Sequence, residues 1–215
     1  MRQMYKYPIL HKLMTSAGLA TRIGVAGNGP IDPGLHETID DHDLIVRFNS
    51  CQNYGHTGRR TDILVLVNTG PAAKLLAQNK ASIHEEALSS AKRIWLAKEP
   101  NLIAAQRLKY PEDAELWEDC SEELIHNKLR SKPWQFVSSK IYDSTMHELK
   151  KYGANDRHDP STGILAIFNI YHTLMTRFPP CVLTLFGFTH EGWTGHPWDA
   201  ERTLIDAYGN WIKRV

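Results

Sequence analysis

Short, continuous apolar runs recur along this chain, separated by turn-forming residues. They fall at Arg22–Ala26, Leu44–Phe48, Ile63–Val67, Arg93–Ala97 and Val182–Phe186. Apolar residues that run on without alternating suit strands buried on both faces of a parallel sheet. Helical stretches lie between them. A brief helix is predicted over 34–40, with longer ones over 71–88, 146–152, 164–176 and 197–212. The segment 101–129 is polar, with Leu116, Leu124 and Leu129 at helical spacing. Strands alternating with helices predict an α/β fold, a mostly parallel sheet flanked by helices. No internal repeat or low-complexity tract interrupts the pattern, and 215 residues suffice for one core, so 1–215 reads as one domain.

Composition narrows the function classes. Hydrophobic content of 42% and charged content of 23% are those of an ordinary globular chain. A formal net charge of +1 gives no electrostatic case for nucleic acid or an anionic membrane surface. Cys51, Cys120 and Cys181 are odd in number and widely spaced, which favours reduced thiols over a disulfide framework or a metal site. Residues 1–20 carry Lys6, His11 and Lys12 among their apolar positions. They read as an extension packed on the domain, not as a signal peptide or membrane span.

Three short segments carry candidate chemistry. The first run ends in Gly27-Asn28-Gly29-Pro30, a turn whose glycines permit close approach of a ligand to backbone N–H groups. Such a turn at the carboxyl end of a parallel strand is where α/β proteins bind nucleotides. Asn28 adds a side-chain amide, and Asn49 brings a second one to the same edge if the strands are parallel. Arg47, inside an apolar run, needs either an ion pair (Asp40, Asp43 or Asp62) or a wet cleft. A dinucleotide fingerprint is incomplete, because Asp32 stands in the place of its third glycine. Arg47 could nevertheless meet the extra phosphate of NADP, so an NADP-binding oxidoreductase stays open.

In the second segment Ser161, Thr162 and Gly163 precede a long apolar helix. Their hydroxyls can cap its first turn, and the same free N–H groups attract an anion. In the third, His196 precedes Pro197 at the start of the last helix, where a helix dipole favours the neutral imidazole that a general base requires. Glu201 follows five residues on, about 140° around an ideal helix, so the two do not form an in-helix metal pair. Glu201 either folds back towards the loop or fixes the turn.

These segments together resemble the sialyltransferase family, glycosyltransferase family 29. Residues 23–62 are similar to its large motif, with the G-N-G turn, R-F-N, and G-x-x-T at Gly58 to Thr61. Residues 160–188 are similar to its small motif, with P-S-T-G, an apolar helix and a strand ending in F-G-F. His196 and Glu201 fit the H-x4-E pattern of the very small motif, and His190 is the nearest candidate for the remaining one. The resemblance implies a Rossmann-like variant of the GT-A type, in which 21–68 forms the nucleotide half, 69–158 the acceptor side, and 159–215 the catalytic region. It implies transfer, with inversion, of a sialic-acid-like sugar from a CMP-sugar to an acceptor hydroxyl, without a metal or other cofactor. Gly27, Asn28, Gly29, Arg47, Asn49, Ser161, Thr162 and Gly163 would hold the donor. His196 would take the acceptor proton, His190 would meet the departing phosphate, and Glu201 would belong to the same catalytic group.

Two departures qualify the picture. Thr21 and Arg22 stand where the family has a cysteine, so the disulfide joining its two motifs is not expected. With no anchor in view, this implies a cytoplasmic, bacterial-type relative. The acceptor region is short for the family, which motivates an alternative: a CMP-binding accessory protein without transferase activity.

Overall fold

The computed structural model describes residues 21–175 and 181–215. The N-terminal extension and the end of the predicted 164–176 helix lie outside the described residues. Seven parallel strands form one sheet: β1 (Thr21–Ala26), β2 (Leu44–Phe48), β3 (Ile63–Leu66), β4 (Arg93–Leu96), β5 (Trp134–Phe136), β6 (Cys181–Phe186) and β7 (Ile212–Arg214). Their order is β5-β4-β3-β2-β1-β6-β7. From β1 the chain steps outward to β5, then crosses back so that β6 pairs along the other side of β1, Ala26 opposite Phe186. The strand order therefore reverses between β1 and β6, and a crevice opens at their carboxyl ends.

The strands explain the continuous apolar runs. In β2 and β3 every residue is buried, and alternate side chains serve opposite faces of the sheet. Ile23, Val25, Val46, Ile63 and Val65 pack on one face beneath α6 (Ser139–Lys150), α7 (Thr162–Ile170) and α8 (Trp198–Ala207). On the other face Leu64, Leu66, Ile94 and Leu96 meet α2 (Gly70–Ala77), α3 (Glu85–Ser90) and α5 (Ser121–Leu124). A brief α1 (His36–Asp40) buries Ile39 against Ile45 and Phe186, and α4 (Pro100–Lys109) follows β4.

Several boundaries differ from expectation. The predicted 71–88 helix is two helices, because the chain turns at Asn79, in the left-handed region, and the N–H groups of Lys80 and Ala81 both donate to the Leu75 carbonyl. The predicted 197–212 helix ends at Ala207, and the residues beyond Gly209 form β7. Helix α6 starts at Ser139, ahead of the predicted 146, with the Ser138 hydroxyl capping it by accepting from the Lys140 N–H at 3.3 Å. β5 and β7 are edge strands, half exposed, so they lack the continuous apolar run that marked the others. Cys51, Cys120 and Cys181 are all buried, and burial pushes the Cys51 thiol up to about 12. Among the described residues no helix is long and apolar enough to cross a membrane.

Arg47 neither pairs with an aspartate nor reaches the crevice. It is 2% exposed. Its Nε donates to the Arg60 carbonyl at 2.9 Å, and its two terminal nitrogens donate to the Thr57 hydroxyl and the Thr57 and Gly58 carbonyls at 2.7–3.3 Å. The guanidinium thus holds the 57–60 loop from inside, and burial lowers its pKa. Asp40 receives the Arg59 and Arg60 N–H groups of the same loop. Replacing Arg47 with Met strands those buried carbonyls. The variant should lose about 2–3 kcal/mol of stability in urea unfolding; an unchanged midpoint would show that the loop holds itself.

Candidate functional site

The floor of the crevice is made by two interlocked turns. After β1 the Gly27 N–H donates to the Phe186 carbonyl at 2.8 Å, and the Gly29 N–H to the Gly187 carbonyl at 3.1 Å. A Cβ on Gly27 or Gly29 would lie 2.6 Å from the Gly187 carbonyl oxygen. The glycines are thus required by contact between the turns of β1 and β6, and their N–H groups are spent there. The side chain of Asn28 is partly spent as well, since its Nδ2 donates to the Phe48 carbonyl at 3.0 Å. Asn49 sits at φ +50 beyond β2, its Oδ1 accepting from the Val67 N–H at 2.8 Å. No described residue takes its Nδ2.

Around this floor Gly27, Asn28, Gly29, Asn49, Ser161, Thr162, Gly163, His190 and His196 line one cleft of about 350 Å³. Among the described residues the cleft is lined by no lysine or arginine, and its one acidic side chain is Glu191. Arg47 and Glu201 stand behind the wall. Ser161 is the N-cap of α7, its hydroxyl accepting from the Ile164 N–H at 3.1 Å. The same hydroxyl donates to Glu201 Oε2 at 2.7 Å, and the Ser161 N–H donates to Oε1 at 2.8 Å. Glu201, 1% exposed, has therefore folded back onto the loop from the first turn of α8. Ser161 serves structure, while the N–H groups of Thr162 and Gly163 find no acceptor among the described residues and point the positive end of α7 at the cleft. A Cβ on Gly163 would lie 2.9 Å from the Phe188 ring, so this glycine keeps the helix start against the cleft wall.

The two histidines differ. His190 is 5% exposed, held at φ +54, and neither ring nitrogen has a hydrogen-bond partner among the described residues. Burial, with the nearby Arg214 and Arg202, pushes it down to about 4, so it is neutral at pH 7. His196 lies just ahead of α8, whose N-cap is Pro197. Its Nδ1 bonds the Asp159 carbonyl oxygen at 2.6 Å. A carbonyl only accepts, so Nδ1 carries the proton, and no described residue bonds the Nε2 lone pair. The ring stands edge-on between Trp193 and Trp198, 4.8 and 4.9 Å between centroids. Burial lowers its pKa, which keeps the imidazole neutral.

Sequence reasoning missed what lies on the other side of His196. A second cavity of about 390 Å³ shares Asn49, Thr162 and His196 with the first. Trp117, Tyr110, Trp193 and a buried Lys98–Asp159 ion pair line it. The signals were a lysine directly after an apolar run and an aspartate directly before Pro160. Either is unremarkable until the carboxyl end of β4 and the start of α7 are known to meet.

Glu201 gives the site a pH signature. Burial raises its carboxyl from 4.5 to about 7, against the two Ser161 hydrogen bonds that lower it. The folded state then holds this proton more tightly than the unfolded chain. Its contribution to stability is full below pH 4.5 and is lost as pH rises through 7, on the order of 3 kcal/mol. Glu201→Gln should flatten that decline in unfolding curves taken across pH 4.5–7.5. Parallel pH dependence in variant and parent would show that the carboxyl does not titrate there.

No known protein-family profile matches the chain. A urease operon 23 kDa accessory protein of Rhizobium meliloti (strain 1021) is 29% identical over 191 residues, covering 86% of this chain and 87% of that protein. Among solved structures, a mammalian sialyltransferase superposes with a TM-score of 0.55 at 18% identity, over 91% of this chain and 69% of that one. A mammalian sialyltransferase bound to Gal-β1-3GalNAc-ortho-nitrophenol gives 0.52 at 16% identity, with the same coverage. The seven-stranded α/β fold of this chain is the fold of these sialyltransferases.

Proposed function

We propose that the chain is an inverting, metal-independent glycosyltransferase that moves a sialic-acid-like sugar from a CMP-sugar to an acceptor hydroxyl. The observation that carries this reading is His196: its Nδ1 is fixed on Asp159, its Nε2 is open, and it stands at the junction of two cavities. The CMP phosphate lies at the N-terminus of α7, against the Thr162 and Gly163 N–H groups, with the Asn28 and Asn49 amides beside the nucleotide. The acceptor occupies the second cavity. Nε2 takes the hydroxyl proton as the acceptor oxygen bonds to the anomeric carbon and the bond from that carbon to the phosphate oxygen breaks. CMP departs with the electron pair, and neutral His190 donates to it. A single phosphate is stabilised by amides and a helix terminus in place of a cation. Arg47 does not enter the site, and Glu201 acts by holding Ser161.

The relative encoded in a urease operon favours a second reading, a CMP-binding accessory protein that transfers nothing. An NADP-dependent oxidoreductase loses its support, since Arg47 is engaged by the 57–60 loop.

Thermal unfolding with CMP, UMP and NADP⁺, without metal, tests the donor site. CMP at a hundredfold excess over its Kd should add about 2.7 kcal/mol. With a CMP-sialic acid donor and a galactoside pool, His196→Ala should cut CMP release by about 10²–10⁴-fold while the CMP shift persists. Unchanged turnover in that variant removes His196 from the chemistry. A CMP shift with no release from any acceptor pool favours the accessory reading, and no CMP shift overturns both.

A further inference from the structure

Lys98 stands one residue beyond the buried Ala97, at the carboxyl end of β4, with a side chain 3% exposed. Asn68 clamps its backbone: Oδ1 accepts from the Lys98 N–H at 3.0 Å, and Nδ2 donates to the Lys98 carbonyl at 2.8 Å. The ammonium lies 3.0 Å from Asp159 Oδ2 and 5.5 Å from the centre of the Trp117 ring. Asp159 in turn grips the loop that bears His196. Its N–H donates to the Gly195 carbonyl at 3.0 Å, and its own carbonyl accepts from His196 Nδ1 at 2.6 Å. A continuous path thus runs from β3 and β4 through Lys98 and Asp159 to the imidazole.

Stability does not explain this arrangement. A buried ion pair pays desolvation on both members, and apolar residues of similar volume commonly do as well or better. The pair sits in the wall of the second cavity, and Asp159 supplies the carbonyl that orients His196.

We propose that the buried Lys98–Asp159 ion pair is a positioning device for His196, locking the carbonyl that fixes its tautomer and balancing the charge the ring meets on taking a proton. The proposal rests on the reading of His196 as the base. Lys98 touches Asp159 and not the reacting atoms, so it acts through another residue. Its ammonium disfavours the imidazolium and the Asp159 carboxylate favours it, on top of the larger effect of burial. The other titratable or charged groups around the ring are Glu201, held on Ser161; His190 and Glu191 in the first cleft; and Tyr110, Asp113, Tyr142, Asp156, Arg157 and His158 around the second cavity. All are unchanged in the variants below, so they cancel in the comparison.

The titration of His196 is the test, read from its ring Cε1–H resonance in the unliganded protein and assigned by its loss in His196→Gln. Lys98→Met should raise the midpoint by about half a pH unit or more, Asp159→Asn should lower it, and the double variant should return towards the parent. Lys98→Arg should keep the parent midpoint. In turnover, the acid limb of the kcat profile should follow the same signs with the donor KM unchanged. Single variants that shift the same way, or not at all, overturn the proposal. If Lys98→Met does not fold, the downward shift in Asp159→Asn and the retained midpoint in Lys98→Arg decide it in the same terms. The resonance needs no transferase activity. The stated shifts in a protein that transfers nothing would reject the transferase reading and leave the positioning role standing. Transfer with an unmoved titration would do the reverse.

Discussion

The cleft depends on the contact of two backbones. At the carboxyl ends of β1 and β6 the turns approach so closely that a single methyl on Gly27 or Gly29 would sit 2.6 Å from the Gly187 oxygen. Gly187 returns the constraint: it lies at φ +66, and a Cβ there would be 2.8 Å from the Gly29 oxygen. This mutual exclusion of side chains brings the switch point of the sheet together as a tight floor. The loop before α8 leads out of β6 at this point, and Phe188 within it packs against Gly163 at the start of α7. The glycines are therefore needed for assembly first, and ligand access follows from what they assemble.

Above that floor Asp159 is the joint between three elements. Its carboxylate takes the Lys98 ammonium, and its two peptide groups take Gly195 and His196. Two residues on, Ser161 is held by Glu201 of α8 while it caps α7. The start of α7 and the loop leading into α8 are thus tied twice, by polar groups that are mostly buried. Hydrogen bonds of this kind contribute little net stability when made and cost heavily when one partner is lost. They define where His196 stands against the start of α7 more than they strengthen the fold.

Much of this was legible in the sequence, and for identifiable reasons. The central strands announced themselves because a strand buried on both faces has no room for polar residues; β5 and β7, at the edges, carried no such signature. The residues of the cleft were legible because turn glycines, a helix cap and a histidine before a proline have narrow local uses. What failed was assignment among those uses. Arg47 was conspicuous as a cation in an apolar strand, but its partners are carbonyls and a hydroxyl of a loop ten or more residues away, which no spacing encodes. For Glu201 the fold back onto the loop followed from its position, but its partner, Ser161, is given only by the packing of α8 against the start of α7. Lys98 and Asp159 are 61 positions apart and meet only through the sheet.

The inward turn of Arg47 leaves the cleft lined by peptide dipoles, amides, hydroxyls, neutral imidazoles and the Glu191 carboxylate, with no lysine or arginine among the described residues. Attraction from such groups is short-ranged and dies away within a few ångströms, whereas a fixed cation would reach across a Debye length of about 10 Å at 0.1 M salt. An anion bound there would be recognised by fit on contact, with little steering from the groups that line the cleft.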